Sequence, residues 1–175
     1  MDTLQIDFSH IRGMVFDVDG VLSANTIPLT AADGMPARTA NIKDGYSLQL
    51  AVKRGMKIAI ITGAKSQAVY NRYRSLGITS IFQAVSYKLP VLQAWMQQNG
   101  LQQNEVMYMG DDIPDYEVMK YCGLACCPRD AAEEIKEIAH YVSPIDGGMG
   151  CVRDVVSRIL KAHGVWMTDK TAFGW

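Results

Sequence analysis

"FDVDGVLS" occupies residues 16–23 and sets Asp17 and Asp19 two positions apart, directly behind the apolar run Met14-Val15-Phe16. Two carboxylates this close repel, and keeping both ionised in a cleft is costly without a counter-charge. The mostly apolar stretch 11–17 reads as a strand buried on both faces, so the two acids fall at a strand's carboxyl end. The pattern recurs along the chain. "MKIAIIT" (56–62), "SIFQAV" (80–85), "EVMYMG" (105–110) and "LACCP" (124–128) read as further strands, with "HYVS" (140–143) a short edge strand. Helical patterns fill the gaps at 44–54, 65–77, 89–100, 114–123 and 130–139, the last with Asp130 as a candidate N-cap. An amphipathic helix follows at 151–164. This alternation predicts an α/β fold: a doubly wound, Rossmann-like, mostly parallel sheet with helices on both faces. Residues 24–42 carry Pro28, Pro36 and the turn signal Asp33-Gly34, and read as a projecting β-hairpin flap.

The 175 residues suit one domain over 1–175 with a tail at 164–175. A net charge of −1 offers no basic face for nucleic acid. No apolar stretch approaches the roughly 18 residues of a membrane span. "MDTLQIDFSH" lacks the order of a signal peptide. Cys122, Cys126, Cys127 and Cys151 show no paired C-x-x-C spacing, so buried free thiols in a reducing cytoplasm are expected rather than a zinc site.

In doubly wound sheets, ligands sit at the carboxyl ends of the strands. Those ends carry Asp17-Val18-Asp19-Gly20, then Thr62-Gly63, then Lys88, then Gly110-Asp111-Asp112 with Asp115 one turn on. Each set alone is ordinary turn chemistry. Together they place five acids, one lysine and one hydroxyl on a single rim, which calls for a cation. Oxygen-only ligands point to Mg²⁺ rather than zinc. Plainer readings exist for several residues. Asp112 and Asp115 either serve the rim or cap the 114–123 helix. Asp44-Gly45 is either a rim element or a cap and turn. "GGMG" (147–150) either brings backbone amides to an anion or is only a loop. Arg153 reaches a carboxylate or pairs on the surface, while Lys43 and Lys65 read as solvated. Trp166, Phe173 and Trp175 either fold over a site or anchor the tail by burial.

"FDVDGVL", "IITG", Lys88 and "MGDDIPD" resemble, in order, the four motifs of the haloacid dehalogenase superfamily of phosphohydrolases. The gaps from Asp19 to Thr62 and from Thr62 to Lys88 hold no separate cap domain. Among capless branches the chain is most similar to the 3-deoxy-D-manno-octulosonate 8-phosphate (KDO 8-phosphate) phosphatase family, through "NIKDGYSLQLAVKRGMKIAIITGAKSQAV" and "GGMGCVRDV". The resemblance implies a Mg²⁺-dependent phosphatase of a sugar acid phosphate, assembled as a homotetramer in which a neighbour's hairpin helps close each site.

It also implies roles. Asp17 is the expected nucleophile and Asp19 the acid and base. Asp17, the Asp19 carbonyl and Asp111 would hold Mg²⁺. Asp112 would bind the metal through water or orient Lys88. Lys88, Thr62 and the Gly63 amide would hold phosphate oxygens, with Asp115, Asp44, Gly45 and Arg153 as supporting or rim residues. One departure is Ala64, where KDO 8-phosphate phosphatases often carry Arg and relatives acting on nine-carbon acids carry Glu. The substrate carboxylate then needs another partner, such as Arg38 or Arg153 of a neighbour. Two alternatives stand: the same chemistry on a nine-carbon keto-deoxy acid 9-phosphate, or a phospho-accepting receiver. A receiver has no use for Asp19.

Overall fold

The β-forming runs assemble where the sequence places them. The computed structural model describes residues 6–29 and 34–175. Its strands are β1 (Gly13–Phe16), β2 (Lys57–Ile61), β3 (Ser80–Phe82), β4 (Val106–Met109), β5 (Leu124–Cys127) and β6 (Tyr141–Val142). They form one sheet in the order β3-β2-β1-β4-β5-β6, and every pair is parallel. The helices are α1 (Ile42–Lys53), α2 (Gln67–Ser75), α3 (Lys88–Asn99), α4 (Tyr116–Tyr121), α5 (Glu133–Ile138) and α6 (Cys151–Ala162).

Alternation along the strands feeds two separate cores. Met14, Phe16, Ile58, Ile60, Met107 and Met109 face the layer of α1, α2 and α6. Val15, Ala59, Ile61, Val106 and Tyr108 face α3, α4 and α5. Burial on both faces is what a parallel sheet requires, and it explains the near-continuous apolar strands. The direction of winding reverses between β1 and β4, so the crevice opens at the carboxyl ends of these two neighbours.

Local chemistry sets the helix ends. The Asn41 side chain accepts from the Lys43 and Asp44 amides at the start of α1, and Ser66 caps α2. Gly100 ends α3 in a left-handed conformation. Asp130, expected to cap a helix, does not do so. The helix starts later, with Ala132 at its N-cap position, and Asp130 instead accepts from the Gly147 amide at 2.8 Å and from Asn25 at 2.9 Å.

The segment between β1 and α1 leaves the sheet as two limbs. Ser23 and Thr39 hold them together at the base, with the Thr39 amide donating to Ser23 Oγ at 3.0 Å. The strand pairing of a hairpin is absent from the limbs among the described residues. Pro28 and Pro36 each lack a ladder donor there. Residues 30–33, including Asp33 of the turn signal, lie outside the described residues.

The tail returns to its own α1. Tyr46 donates to the Ala172 carbonyl, Lys53 to the Gly174 carbonyl, and Arg54 to Asp169 and to the Val165 carbonyl. Trp166 and Trp175 meet Tyr46 edge-on, yet Phe173 and Trp175 both stay 71% exposed, so burial anchors little of this tail. No helix among the described residues is long and apolar enough to cross a membrane.

Candidate active site

The rim closes around Asp17. β1 delivers it at the crevice, with its amide donating to the Met109 carbonyl of β4. The chain then turns sharply: the Gly20 amide donates to the Ser23 carbonyl, and the Ser23 amide donates to the Val18 carbonyl. Gly20 has φ +85°, and a Cβ there would lie 1.9 Å from an Asp111 carboxylate oxygen. Glycine therefore serves the turn and the approach of Asp111 together.

Lys88 is the first residue of α3 and is only 4% exposed at its side chain. Its ammonium lies 2.8 Å from Asp17 Oδ1 and 2.7 Å from Asp115 Oδ1. Burial opposes that charge, but Asp115 and Asp17 outweigh it and raise the lysine's proton affinity. Asp115 is fixed on its other sides too. Tyr108 donates to Oδ1 at 2.7 Å and the Asp111 amide to Oδ2 at 3.1 Å. Gly110 makes room for this, since a Cβ there would sit 2.4 Å from the Asp115 side chain. Asp115 therefore orients Lys88, one of the two tasks considered for Asp112. Asp112 is exposed at the lip of the same cleft, where its side chain accepts from the Ile113 amide.

The carboxylate oxygens of Asp17, Asp111 and Asp115 come within 4.8 Å of one another. Burial first, and then repulsion from Asp115, pushes Asp17 up to about 7 against the pull of Lys88. Burial, with repulsion from Asp17, Asp115 and Asp112, pushes Asp111 up to about 8. A hard divalent cation fits this donor set: it consists of oxygen alone and its excess negative charge is otherwise relieved only by protons. The oxygens of Asp115 already carry three hydrogen bonds, so Asp17 and Asp111 are the carboxylates open to such an ion.

These residues line a cleft of about 820 Å³. Asp19, Thr62, Gly63 and Lys88 share its wall, joined by Asn25, Arg38, Ala84, Val85 and Ser86. The Thr62 hydroxyl accepts from the Ala64 amide at 3.1 Å, which fixes the turn after β2. Ala84 takes a positive φ of 54° and donates its amide to the Ala64 carbonyl, so the opposing wall is backbone-built. Lys88 and Arg38 are the two cations among the described lining residues. Arg38 pairs with Asp19 of its own chain. No motif marked Arg38 or Tyr108. The second had a signal in retrospect, as a polar-tipped residue inside an apolar strand.

Asp44, Gly45 and Arg153 do not join the rim. Asp44 is buried between α1 and α6, where it accepts from the Arg153 amide at 2.7 Å. The Arg153 guanidinium stacks on the Tyr46 and Trp166 rings beside the tail. A Cβ on Gly45 would meet the Arg72 side chain. The glycines of "GGMG" serve close packing: a Cβ on Gly147 would lie 1.9 Å from the Gly20 carbonyl oxygen, and the Gly148 amide donates to the Val21 carbonyl. That loop buttresses the Asp17–Ser23 turn.

A family model described as haloacid dehalogenase-like hydrolase matches residues 78–147. The 3-deoxy-D-manno-octulosonate 8-phosphate phosphatase KdsC of Escherichia coli (strain K12) is 37% identical over 155 residues, covering 89% of this chain and 82% of that one. The KdsC of Yersinia pestis is 36% identical over the same shares. Among solved structures, the 3-deoxy-D-manno-octulosonate 8-phosphate phosphatase of Yersinia pestis superposes with a TM-score of 0.88 at 34% identity, over 93% of this chain and 88% of that one. The enzyme of Moraxella catarrhalis, in complex with magnesium, phosphate and KDO, gives 0.86 at 32% identity over 90% of each chain.

Proposed function

This chain belongs to the KDO 8-phosphate phosphatase family of haloacid dehalogenase-like hydrolases, and on that footing we propose that it hydrolyses KDO 8-phosphate to KDO and inorganic phosphate with Mg²⁺. The observation that carries the reading is the Asp17 carboxylate at the end of β1, held by Lys88 with Asp111 alongside. The Moraxella catarrhalis relative, which holds magnesium, phosphate and KDO together, supports the same ligands here.

Asp17 forms a bond to phosphorus as the bond to the sugar oxygen breaks, giving an aspartyl phosphate. Asp19 gives its proton to the departing oxygen. It then takes one from the water that cleaves the aspartyl phosphate and regenerates Asp17. Lys88, the Thr62 hydroxyl and the Gly63 amide hold the phosphate oxygens, and Asp115 and Tyr108 keep the lysine aimed. Asp17, Asp111 and the Asp19 carbonyl would hold Mg²⁺, which supplies charge neutralisation at the phosphoryl group. Asp112 contributes through the capped turn that presents Asp111 and Asp115.

The whole chain, 1–175, is read as one catalytic unit, since the strand ends of a single sheet and the first residue of α3 bring Asp17, Thr62, Asp111 and Lys88 to one cleft. We further infer a cytoplasmic homotetramer in which a neighbour's 24–42 segment roofs the cleft. Support comes from four buried free cysteines and from Leu29, which is 81% exposed on that segment. Phosphate release from KDO 8-phosphate, with and without EDTA, tests the function. Loss of turnover with the chelator and its return with added Mg²⁺ is the expected result. Unchanged release in EDTA would sink the metal role, and higher kcat/KM on a nine-carbon keto-deoxy acid 9-phosphate would move the substrate.

A further inference from the structure

Arg38 meets Asp19 in a two-pronged ion pair. Its Nε lies 2.9 Å from Oδ1 and its Nη2 lies 3.0 Å from Oδ2, while Nη1 donates to the Pro36 carbonyl at 2.9 Å. The guanidinium side chain is 9% exposed, whereas the carboxylate it holds is 40% exposed. The limb carrying Arg38 is itself tied down. The Thr39 amide donates to Ser23 Oγ, the Ala24 amide approaches Thr39 Oγ1 at 3.3 Å, and Ser23 bridges back to the Asp19 backbone. Among the described residues, no other side chain binds the Asp19 carboxylate.

We propose that Arg38 is a positioning residue that acts through Asp19, setting the plane and direction of its carboxylate for proton transfer. The inference rests on the role given to Asp19 above. A half-exposed aspartate turns freely about its side-chain torsions, and proton transfer needs the acid within about 3 Å of the reacting oxygen. A planar fork fixes a carboxylate's plane, which a lysine's point charge does not. Arginine keeps its own proton at any working pH, so it orients Asp19 without competing for the transferred proton. Each Asp19 oxygen retains a lone pair away from the fork.

A double-variant cycle tests this, using Arg38→Met, Asp19→Asn and the two combined, with KDO 8-phosphate and p-nitrophenyl phosphate as substrates. Arg38→Met should lower kcat on the sugar phosphate about 100-fold with KM within about threefold, the scale set by misorienting a reacting group. Arg38→Lys should recover part of the loss, and added guanidinium should partly restore Arg38→Ala. In the Asp19→Asn background, Arg38→Met should cost nothing further. On p-nitrophenyl phosphate the leaving group needs no proton, so the initial burst of p-nitrophenolate should be preserved in Arg38→Met while steady turnover slows.

A raised KM with unchanged kcat would assign Arg38 to substrate binding and overturn the proposal. So would losses that multiply in the combined variant, or a burst slowed as much as turnover. If the wild-type protein leaves KDO 8-phosphate untouched, the substrate reading fails on its own. The cycle is then read on p-nitrophenyl phosphate, whose water step still needs Asp19.

Discussion

Asp17, Asp111 and Asp115 crowd one cleft at the crevice between β1 and β4, whereas Asp44 lies alone between α1 and α6. Both places bury carboxylates, and burial raises proton affinity in both. The compensation differs. In the cleft, one ammonium touches two carboxylates and a phenol completes the second, leaving Asp17 and Asp111 with spare charge on the side that faces the opening. Among the described residues, Asp44 has no cation bonded to it. It accepts from the third amide of α6, whose N-cap residue, Gly150, has no side chain to offer. A buried acid is thus no mark of catalysis by itself. Excess charge converging on an open crevice is that mark, because a ligand can relieve it.

The sharpest way to break this contrast is to remove the nucleophile. Asp17→Asn should abolish phosphate release while leaving the thermal midpoint unchanged or higher, because it deletes a repelled charge and leaves Lys88 paired with Asp115. Activity within about tenfold of wild type would deny Asp17 its role, since tenfold is only about 1.4 kcal/mol of barrier. A clear drop in the midpoint would show Asp17 to be structural, as Asp44 is. Lys88→Met should do the reverse. It strips two buried carboxylates of their partner, and such losses cost about 3–5 kcal/mol of unfolding free energy, measurable by urea titration at neutral pH. Stability within about 1 kcal/mol of wild type would mean that the acids shed their charge by protonation instead.

The contrast also marks how much the sequence disclosed. The sheet was legible because strands buried on both faces are near-continuous apolar runs, and their alternation with helices implied a mostly parallel sheet; the strand order came only with the structure. Asp17, Asp19, Thr62, Lys88 and Asp111 fall on one rim because each sits at a fixed distance from the end of such a run. Asp44 and Asp115 were harder. Both are acids near a helix start, and sequence spacing cannot tell a helix that faces the crevice from one that turns its acid toward a neighbouring helix. The Asp44 partner lies 109 residues away, at Arg153, and the Tyr108 contact with Asp115 depends on which face of β4 meets α3. Arg38 was invisible as a partner of Asp19 because the segment between β1 and α1 lacks the periodic pattern that would have fixed its register.

The smallest effect is the most direct test of the Asp44 half of the comparison. Burial pushes its carboxyl up to about 6, against the opposing pull of the Arg153 amide and charge, and its Oδ2 is buried without a hydrogen bond. From about pH 4 to 6 the folded chain therefore holds a proton that the unfolded chain, titrating near 3.8, has released. Stability at this site is full below the unfolded value and falls as pH rises through the folded one. The loss approaches about 3 kcal/mol, from a shift of some two units at about 1.4 kcal/mol each. Asp44→Asn keeps an acceptor for the α6 amide but cannot ionise. Subtracting its urea-unfolding profile from that of the wild type cancels the cleft acids, which titrate in both proteins. The difference should slope downward between about pH 4 and 7 by up to this amount. A flat difference would mean that the Asp44 charge costs the fold nothing, and that a lone helix terminus compensates a buried carboxylate as fully as a cation does.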